Sequence, residues 1–284
     1  MRLPLFLHEL VQKFSVRLGA SDPILYRGID VSDWNGNVDF PALRDKIDFA
    51  ILRCGYGSDY SMQDDSCFAR NVRACAAAGI PYGVYLYSYA QNETMAQSEA
   101  AHMLRLLHGE DPDFGVWYDV EDQTLPFASG KVADLCKVWC GAMRAAGRTC
   151  VGIYASLSDM ENYLDKDVLK PYEKWVAHWN PTCGYSNPGI WQFTNHAMLG
   201  GQGPFDMNYA YRDYLDLTGA TMTQKKFNEM MENYLRGEEI KAASDWAEEA
   251  WKKACGRGIF DGTAPQSRLT REQAAIVLEK LGLL

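Results

Sequence analysis

Between residues 26 and 217, seven short runs rich in Val, Ile, Tyr, Trp and Phe alternate with stretches whose apolar residues recur at helical spacing. That alternation leaves few folds open, because strands separated by amphipathic helices pair in parallel beneath a helical layer. The strand candidates are residues 27–32 (RGIDVS), 48–55 (DFAILRCG), 81–90 (PYGVYLYSYA), 114–121 (FGVWYDVE), 149–156 (TCVGIYAS), 174–179 (KWVAHW) and 189–194 (GIWQFT). β-Branched and aromatic side chains pack well on a pleated surface. The helix candidates between them, residues 68–79, 93–109 and 131–147, each end in Gly, a residue that readily takes the left-handed turn after a helix. Seven or eight such units favour an irregular (β/α) barrel, although an open doubly wound sheet satisfies the same alternation. A barrel gathers its chemistry at the C-terminal ends of its strands, where the loops converge.

The chain has 284 residues, more than a single domain usually holds, so a large domain and a smaller one are expected. The change of character falls after Asp216. Residues 223–284 lose their strand signals and read as helices at 225–237, 244–258 and 269–282, which predicts a small all-helical domain beside an α/β domain over 26–217. Ser244 and Thr270 are the candidate N-caps, and Gln273 three residues after Thr270 completes a capping box. Residues 1–25 read as an arm or helix, because His8, Glu9 and Lys13 interrupt the apolar run before a signal-peptide core can form. No apolar stretch is long enough to span a membrane.

The formal charge of −9 opposes nucleic acid as a partner, since phosphate binding is driven by Lys and Arg. Acidic and basic residues balance in 223–284, so the acidic excess lies in the large domain. Eight cysteines in a chain of this length form no dense disulfide framework and no zinc-type spacing. Cys136 and Cys140, four apart, share one helix face and read as packing.

The chemistry concentrates in residues 114–121, an apolar strand that ends in Asp119 and Glu121. Side chains two apart in a strand point the same way, so both carboxyls project into whatever cleft the strand end lines. Repulsion between them and desolvation by neighbours such as Trp117 push a carboxyl pKa upward. A carboxyl still protonated near neutral pH is what a glycosidase uses to protonate a leaving sugar oxygen. Asp30 at the end of the first strand candidate and Asp206 after the last one would meet this pair in a barrel. Trp34, Tyr56, Tyr85, Tyr87, Tyr154, Trp179 and Trp191 lie near the same strand ends, with Gln192 and Asn208 as amide partners for sugar hydroxyls. The cleft acids come without a His or Cys ligand set, so neither metal nor cofactor is expected.

At these residues the chain resembles the family-25 glycoside hydrolases, lysozymes that cut between N-acetylmuramic acid and N-acetylglucosamine. The resemblance runs through GIDVSDWNGNVDF, DFAILRCGYG, YGVYLYSYA, WYDVE, VGIYAS, WVAHW, IWQFT and FDMNYAY, in the family's order and spacing. It implies an irregular (β/α) barrel with an acidic groove and peptidoglycan glycan strands as the partner. It assigns Glu121 the general acid and Asp119 the role of steadying the substrate's N-acetyl group, while Asp30 and Asp206 tune the pair. Residues 244–282 are similar to a single S-layer-homology repeat, which implies either a cell-wall polymer ligand or self-association. Action at the bacterial cell wall, with release at host lysis as in a phage endolysin or export by another route, is the accompanying expectation. A chitinase-like hexosaminidase and a non-catalytic glycan-binding protein are the competing readings. The first is disfavoured because Phe114, Val116 and Tyr118 stand where chitinases place further acids, the second because all four acids are present.

Overall fold

The computed structural model describes residues 23–127, 130–219, 242–266 and 269–284. The chain divides into two compact units, Met1–Thr221 and Met222–Leu284. In the first, eight strands close a barrel in sequence order: β1 (Tyr26–Val31), β2 (Phe49–Tyr56), β3 (Tyr82–Tyr87), β4 (Val116–Asp119), β5 (Val151–Ser156), β6 (Glu173–Ala177), β7 (Ile190–Leu199) and β8 (Gln202–Ala210). β1 to β7 pair in parallel, and β8 returns antiparallel to both β7 and β1. Three long helices cover the outside: α1 (Phe68–Ala78), α2 (Glu93–Leu107) and α3 (Lys131–Ala145). Gly79 takes the left-handed turn after α1, whereas after α2 the cap is His108 (φ 50°) rather than the expected Gly109.

The period of two along each strand sorts the core into two layers. Ile29, Val31, Leu52, Val84, Leu86, Val116, Tyr118, Val151 and Ile153 face outward and pack with Cys75, Met103, Cys136, Trp139 and Cys140 of the helices. Cys136 and Cys140 therefore serve as packing on one face of α3, as their spacing implies, and all eight cysteines are free thiols. The inward set is different: Phe49, Ile51, Tyr85, Trp117, Tyr154, Trp175, Ile190 and Ala210 form a second, largely aromatic cluster. Such large rings fit inside the barrel because facing positions carry no side chain. A Cβ on Gly28 would lie 2.7 Å from the Phe49 ring, and one on Gly152 would lie 2.2 Å from Trp117 Cζ3. Above the rings, on the same inward rows, come Asp30, Arg53, Tyr87, Asp119, Gln192, Asn208 and Asp206.

Two expectations need correction here. Asp206 does not follow the last strand but lies inside β8, where it is the register partner of Asp30 on β1. Gly203 and Pro204 at the strand's start disguise it, yet Phe205, Met207 and Tyr209 alternate with Asp206, Asn208 and Ala210 as a strand requires. Ser244 does not cap a helix either: α4 (Glu248–Gly256) starts at Glu248 behind Ala247, and Ser244 supplies only a backbone carbonyl to the Ala247 N–H. In the same unit α5 (Arg271–Lys280) begins with the expected capping box, Thr270 and Gln273 bonding reciprocally. The expected helix at 225–237 and most of the expected arm at 1–25 lie outside the described residues. Among the described residues no helix is long and apolar enough to cross a membrane.

Candidate active site

The inward rows of β1, β4, β5, β7 and β8 deliver their polar residues to one end of the barrel, the end at which β4 terminates. Trp117 continues the inner aromatic layer, Asp119 follows two residues on, and Glu121 follows two beyond that, past the strand's last hydrogen bonds. Tyr118 and Val120 alternate outward into the other layer. Asp119 is 4% exposed and its Oδ1 is buried without a hydrogen-bond partner among the described residues. Burial, then the charges of Glu121 and Asp30, hold the Asp119 carboxyl well above the usual carboxylate range, and Arg53 partly offsets them. Glu121 is likewise raised, by burial first and the Asp30 charge second, while a hydrogen bond from Tyr154 pulls it back.

Asp30 and Asp206 form the second pair. Burial, then Asp206, pushes Asp30 up to about 8. Burial, then Glu121, raises Asp206 to about 6, and a hydrogen bond from Asp30 restrains it.

Amide orientations in this network are set by donors that can only donate. Trp175 Nε1 gives its hydrogen to Asn208 Oδ1 (2.7 Å), which turns the Asn208 amide nitrogen onto Asp30 Oδ2 (2.7 Å). Trp179 Nε1, likewise only a donor, fixes Gln192 Oε1 (2.9 Å), and the Tyr154 hydroxyl donates to the same oxygen (3.1 Å). The Gln192 amide nitrogen therefore points at Asp30 Oδ2 (3.0 Å) and Asp206 Oδ2 (3.3 Å). A network so determined holds the acids in one geometry.

Beside the acids lies a cavity of about 450 Å³, a volume within the range of small-ligand sites. Glu121, Asp206, Trp34, Tyr154 and Trp179 line it, joined by Asn35, Asn195, Gly203, Pro204 and Phe205. Trp34 and Trp179 are 88% and 58% exposed, unusual for indoles that serve only packing. Asp30, Asp119, Gln192 and Asn208 are buried and do not line the cavity.

Four of the expected aromatic contact residues are not among the lining, nor are the expected amides Gln192 and Asn208. Tyr85 is packed edge-on to Trp175 in the inner core, and Trp191 is likewise buried, its Nε1 spent on the His178 carbonyl. Tyr56 and Tyr87 instead flank Tyr89 in a row of edge-to-face rings, with Tyr87 reaching Asp122. Of the residues missed at the sequence level, Asn35 comes from the turn Asp33–Asn35 after β1, and Asn195, Gly203, Pro204 and Phe205 come from the β7–β8 hairpin. Only the alternation along 205–210 signalled that a strand would bring them back. Among the described residues no group of three or more His, Cys, Asp or Glu is arranged to hold a metal ion.

A carboxyl held above its usual range in the wall of a cavity built from indoles, amides and carboxyls, with no Lys or Arg in the lining, matches a neutral polyhydroxylated ligand. Fold and site together define the class: a glycoside hydrolase with a (β/α) barrel. The chain belongs to the glycosyl hydrolases family 25, whose model matches residues 29–202.

Among solved structures it is similar to the modular autolysin LytC of Streptococcus pneumoniae, at 28% identity and a TM-score of 0.58 over 65% of this chain. That match spans 46% of the autolysin's length. The catalytic domain of endolysin ply40 from bacteriophage P40 of Listeria monocytogenes shares the fold at 24% identity and a TM-score of 0.59, covering 70% of this chain and 100% of that one. The bacterial lysozyme from Streptomyces coelicolor shares it at 23% identity and a TM-score of 0.57, covering 69% and 98%. No curated protein matches the chain significantly.

Proposed function

We propose that the chain is a muramidase that hydrolyses the β-1,4 bond between N-acetylmuramic acid and N-acetylglucosamine in bacterial peptidoglycan, with Glu121 as general acid. The observation that carries this reading is Glu121 itself: a carboxyl with a raised pKa, in the wall of a sugar-sized cavity, backed by three more carboxyls. In the reaction Glu121 gives its proton to the departing glycosidic oxygen as the bond to the muramyl C1 breaks. It then takes a proton from the water that attacks C1. Asp119 is the stabilising partner. It lies two residues before Glu121 on the same inward row, buried behind the cavity wall, where its charge and that of Glu121 act on one another. Asp30 and Asp206 hold negative charge near Glu121 and so keep its proton on until the leaving oxygen needs it. Trp34, Tyr154 and Trp179 offer ring faces and donors to the sugars. Family membership and a structural relative described in complex with a synthetic peptidoglycan ligand support the same reading.

The test is Glu121→Gln on purified cell walls. Release of reducing ends should fall by at least about a hundredfold, the scale of lost acid catalysis, with the thermal unfolding profile retained. Mass spectrometry of the wild-type products should place the new reducing end on N-acetylmuramic acid. A reducing end on N-acetylglucosamine, or full activity in Glu121→Gln, overturns the reading.

The second unit, over 223–284, is proposed as a wall-binding or self-association module that works at the cell wall. Its support is the resemblance of 244–282 to one S-layer-homology repeat.

A further inference from the structure

Arg53 is the cation on the inward rows at the catalytic end of the barrel, and nothing in the proposed reaction uses it. It sits on β2 in register with Tyr85, one strand from β1 with Asp30 and one from β3, whose Tyr87 is in register with Asp119. Its side chain is 11% exposed, with the guanidinium divided between two carboxylates. Arg53 Nε donates to Asp65 Oδ2 at 2.8 Å, and Nη2 pairs with Asp33 Oδ1. Asp65, fully buried at its side chain, is a hub: the same Oδ2 accepts the backbone N–H of Asp33 at 2.9 Å, and Oδ1 accepts that of Cys67 at 2.8 Å. Asp33 is thus gripped by side chain and backbone together.

The turn that Asp33 opens, Asp33–Asn35, carries Trp34, the most exposed indole in the cavity wall. Ser32 caps this turn through the Trp34 N–H, and Asn35 returns a bond to the Ser32 N–H. The turn is tied within itself and follows directly on β1; side-chain bonds hold it to the barrel through Arg53 and Asp65 on β2's side and through Asn35 Nδ2, which donates to the Pro204 carbonyl of β8 at 3.4 Å. The guanidinium also lies 6.0 Å from the centre of the Tyr56 ring, at the start of the tyrosine row.

We infer that Arg53 is a positioning residue for the glycosidase reaction: through Asp33 it seats the turn bearing Trp34 against the cavity, and it sets a positive charge against the acids at that end of the barrel. The inference rests on the glycosidase reading for its kinetic consequence only. Asp119 faces Asp30 from β1, Arg53 from β2, Tyr85 and Tyr87 from β3, Glu121 beyond its own strand and Tyr154 from β5. Every ionisable member of that set except Arg53 is neutral or negative, so removing Arg53 leaves the repulsion unopposed.

The test uses the full chain in three forms: wild type, Arg53→Ala and Arg53→Lys. Carboxyl carbon NMR follows the titration of Asp119 without substrate, its resonance identified by its disappearance in Asp119→Asn. The Asp119 midpoint should move upward in Arg53→Ala and return towards wild type in Arg53→Lys, which keeps the charge. On soluble peptidoglycan fragments, the acid limb of kcat/KM should move upward in Arg53→Ala alone. KM should rise about tenfold in both variants, because an ammonium cannot span two carboxylates as the guanidinium fork does.

An unmoved Asp119 midpoint in Arg53→Ala, or an unchanged KM in both variants, overturns the inference. If Arg53→Ala does not fold, Arg53→Lys and Asp33→Asn carry the test, since both break the tether and should raise KM; normal KM in both refutes it. A wild type that releases no reducing ends while the midpoint still moves would refute the glycosidase reading and leave the electrostatic role of Arg53 standing.

Discussion

A carboxyl acts as a general acid only while it holds its proton, and Tyr154 is the residue that opposes burial and Asp30 in setting how firmly Glu121 does so. Burial and the charge of Asp30 raise Glu121, and the Tyr154 hydroxyl, by hydrogen-bonding the ionised form, lowers it. The hydroxyl has one hydrogen, given to Gln192 Oε1 (3.1 Å) while Glu121 holds its own proton and available to the Glu121 carboxylate once that proton leaves. In Tyr154→Phe the lowering influence is gone and Glu121 keeps its proton to higher pH. The alkaline limb of the activity profile should therefore move upward, while the maximal rate falls roughly tenfold or more through loss of a charge-assisted bond. Rate profiles between pH 4 and 9 check this, and a downward move of the alkaline limb would show that Tyr154 does not act on Glu121.

At the scale of strands, the site depends on room inside the barrel. Trp117 lies directly beneath Asp119 on β4, and it occupies space that Gly152 on β5, its register partner, leaves empty. Gly152→Ala would set a methyl 2.2 Å from the Trp117 ring and 3.0 Å from the Glu173 carbonyl, and the backbone oxygen cannot yield. Overpacking of this kind costs about 1–3 kcal/mol. The variant should unfold several degrees lower, and the displaced indole should tilt Asp119 and reduce kcat; unchanged melting would mean that the ring swings aside freely. The seven parallel strands and three long helices were legible in sequence because each is a local run with its own period. So was the acid pair of β4, since a strand fixes which side chains share a face. The β7–β8 hairpin was not, because Pro204 and two neighbouring glycines interrupt the run and the strand is held by β1, far away in sequence. Arg53 was illegible for the same reason: one arginine on an apolar strand has no meaning until Asp33 and Asp65 fold against it.

For the whole molecule, buried acids whose pKa values are raised make stability depend on pH with a definite sign. A raised carboxyl binds its proton more tightly folded than unfolded. Its favourable contribution is complete below the unfolded value near 3.8 and is lost as pH climbs through the folded value, here about 6 for Asp206 and about 8 for Asp30. Asp64 has the opposite sign: bonds from Arg105 and His102 lower it, so its contribution is lost only as strongly acid pH is approached. The barrel should therefore melt highest in mildly acid solution and progressively lower from pH 6 to pH 9, a trend that the chain's net charge of −9 reinforces through self-repulsion. Asp30→Asn isolates the largest part of this. The amide keeps an oxygen for Gln192 and Asn208 and presents N–H to Asp206, as the protonated acid does, but it cannot ionise. Its Tm should equal the wild-type value near pH 5 and exceed it at pH 9, giving a flatter curve. Because Asp30 also raises Glu121, the variant should lose activity first at the alkaline end. Calorimetric scans of both proteins across this range decide the matter: parallel curves would mean that Asp30 titrates alike in the folded and unfolded chain. Divergence at high pH would mean that the site's acidity is maintained at the expense of the fold's stability.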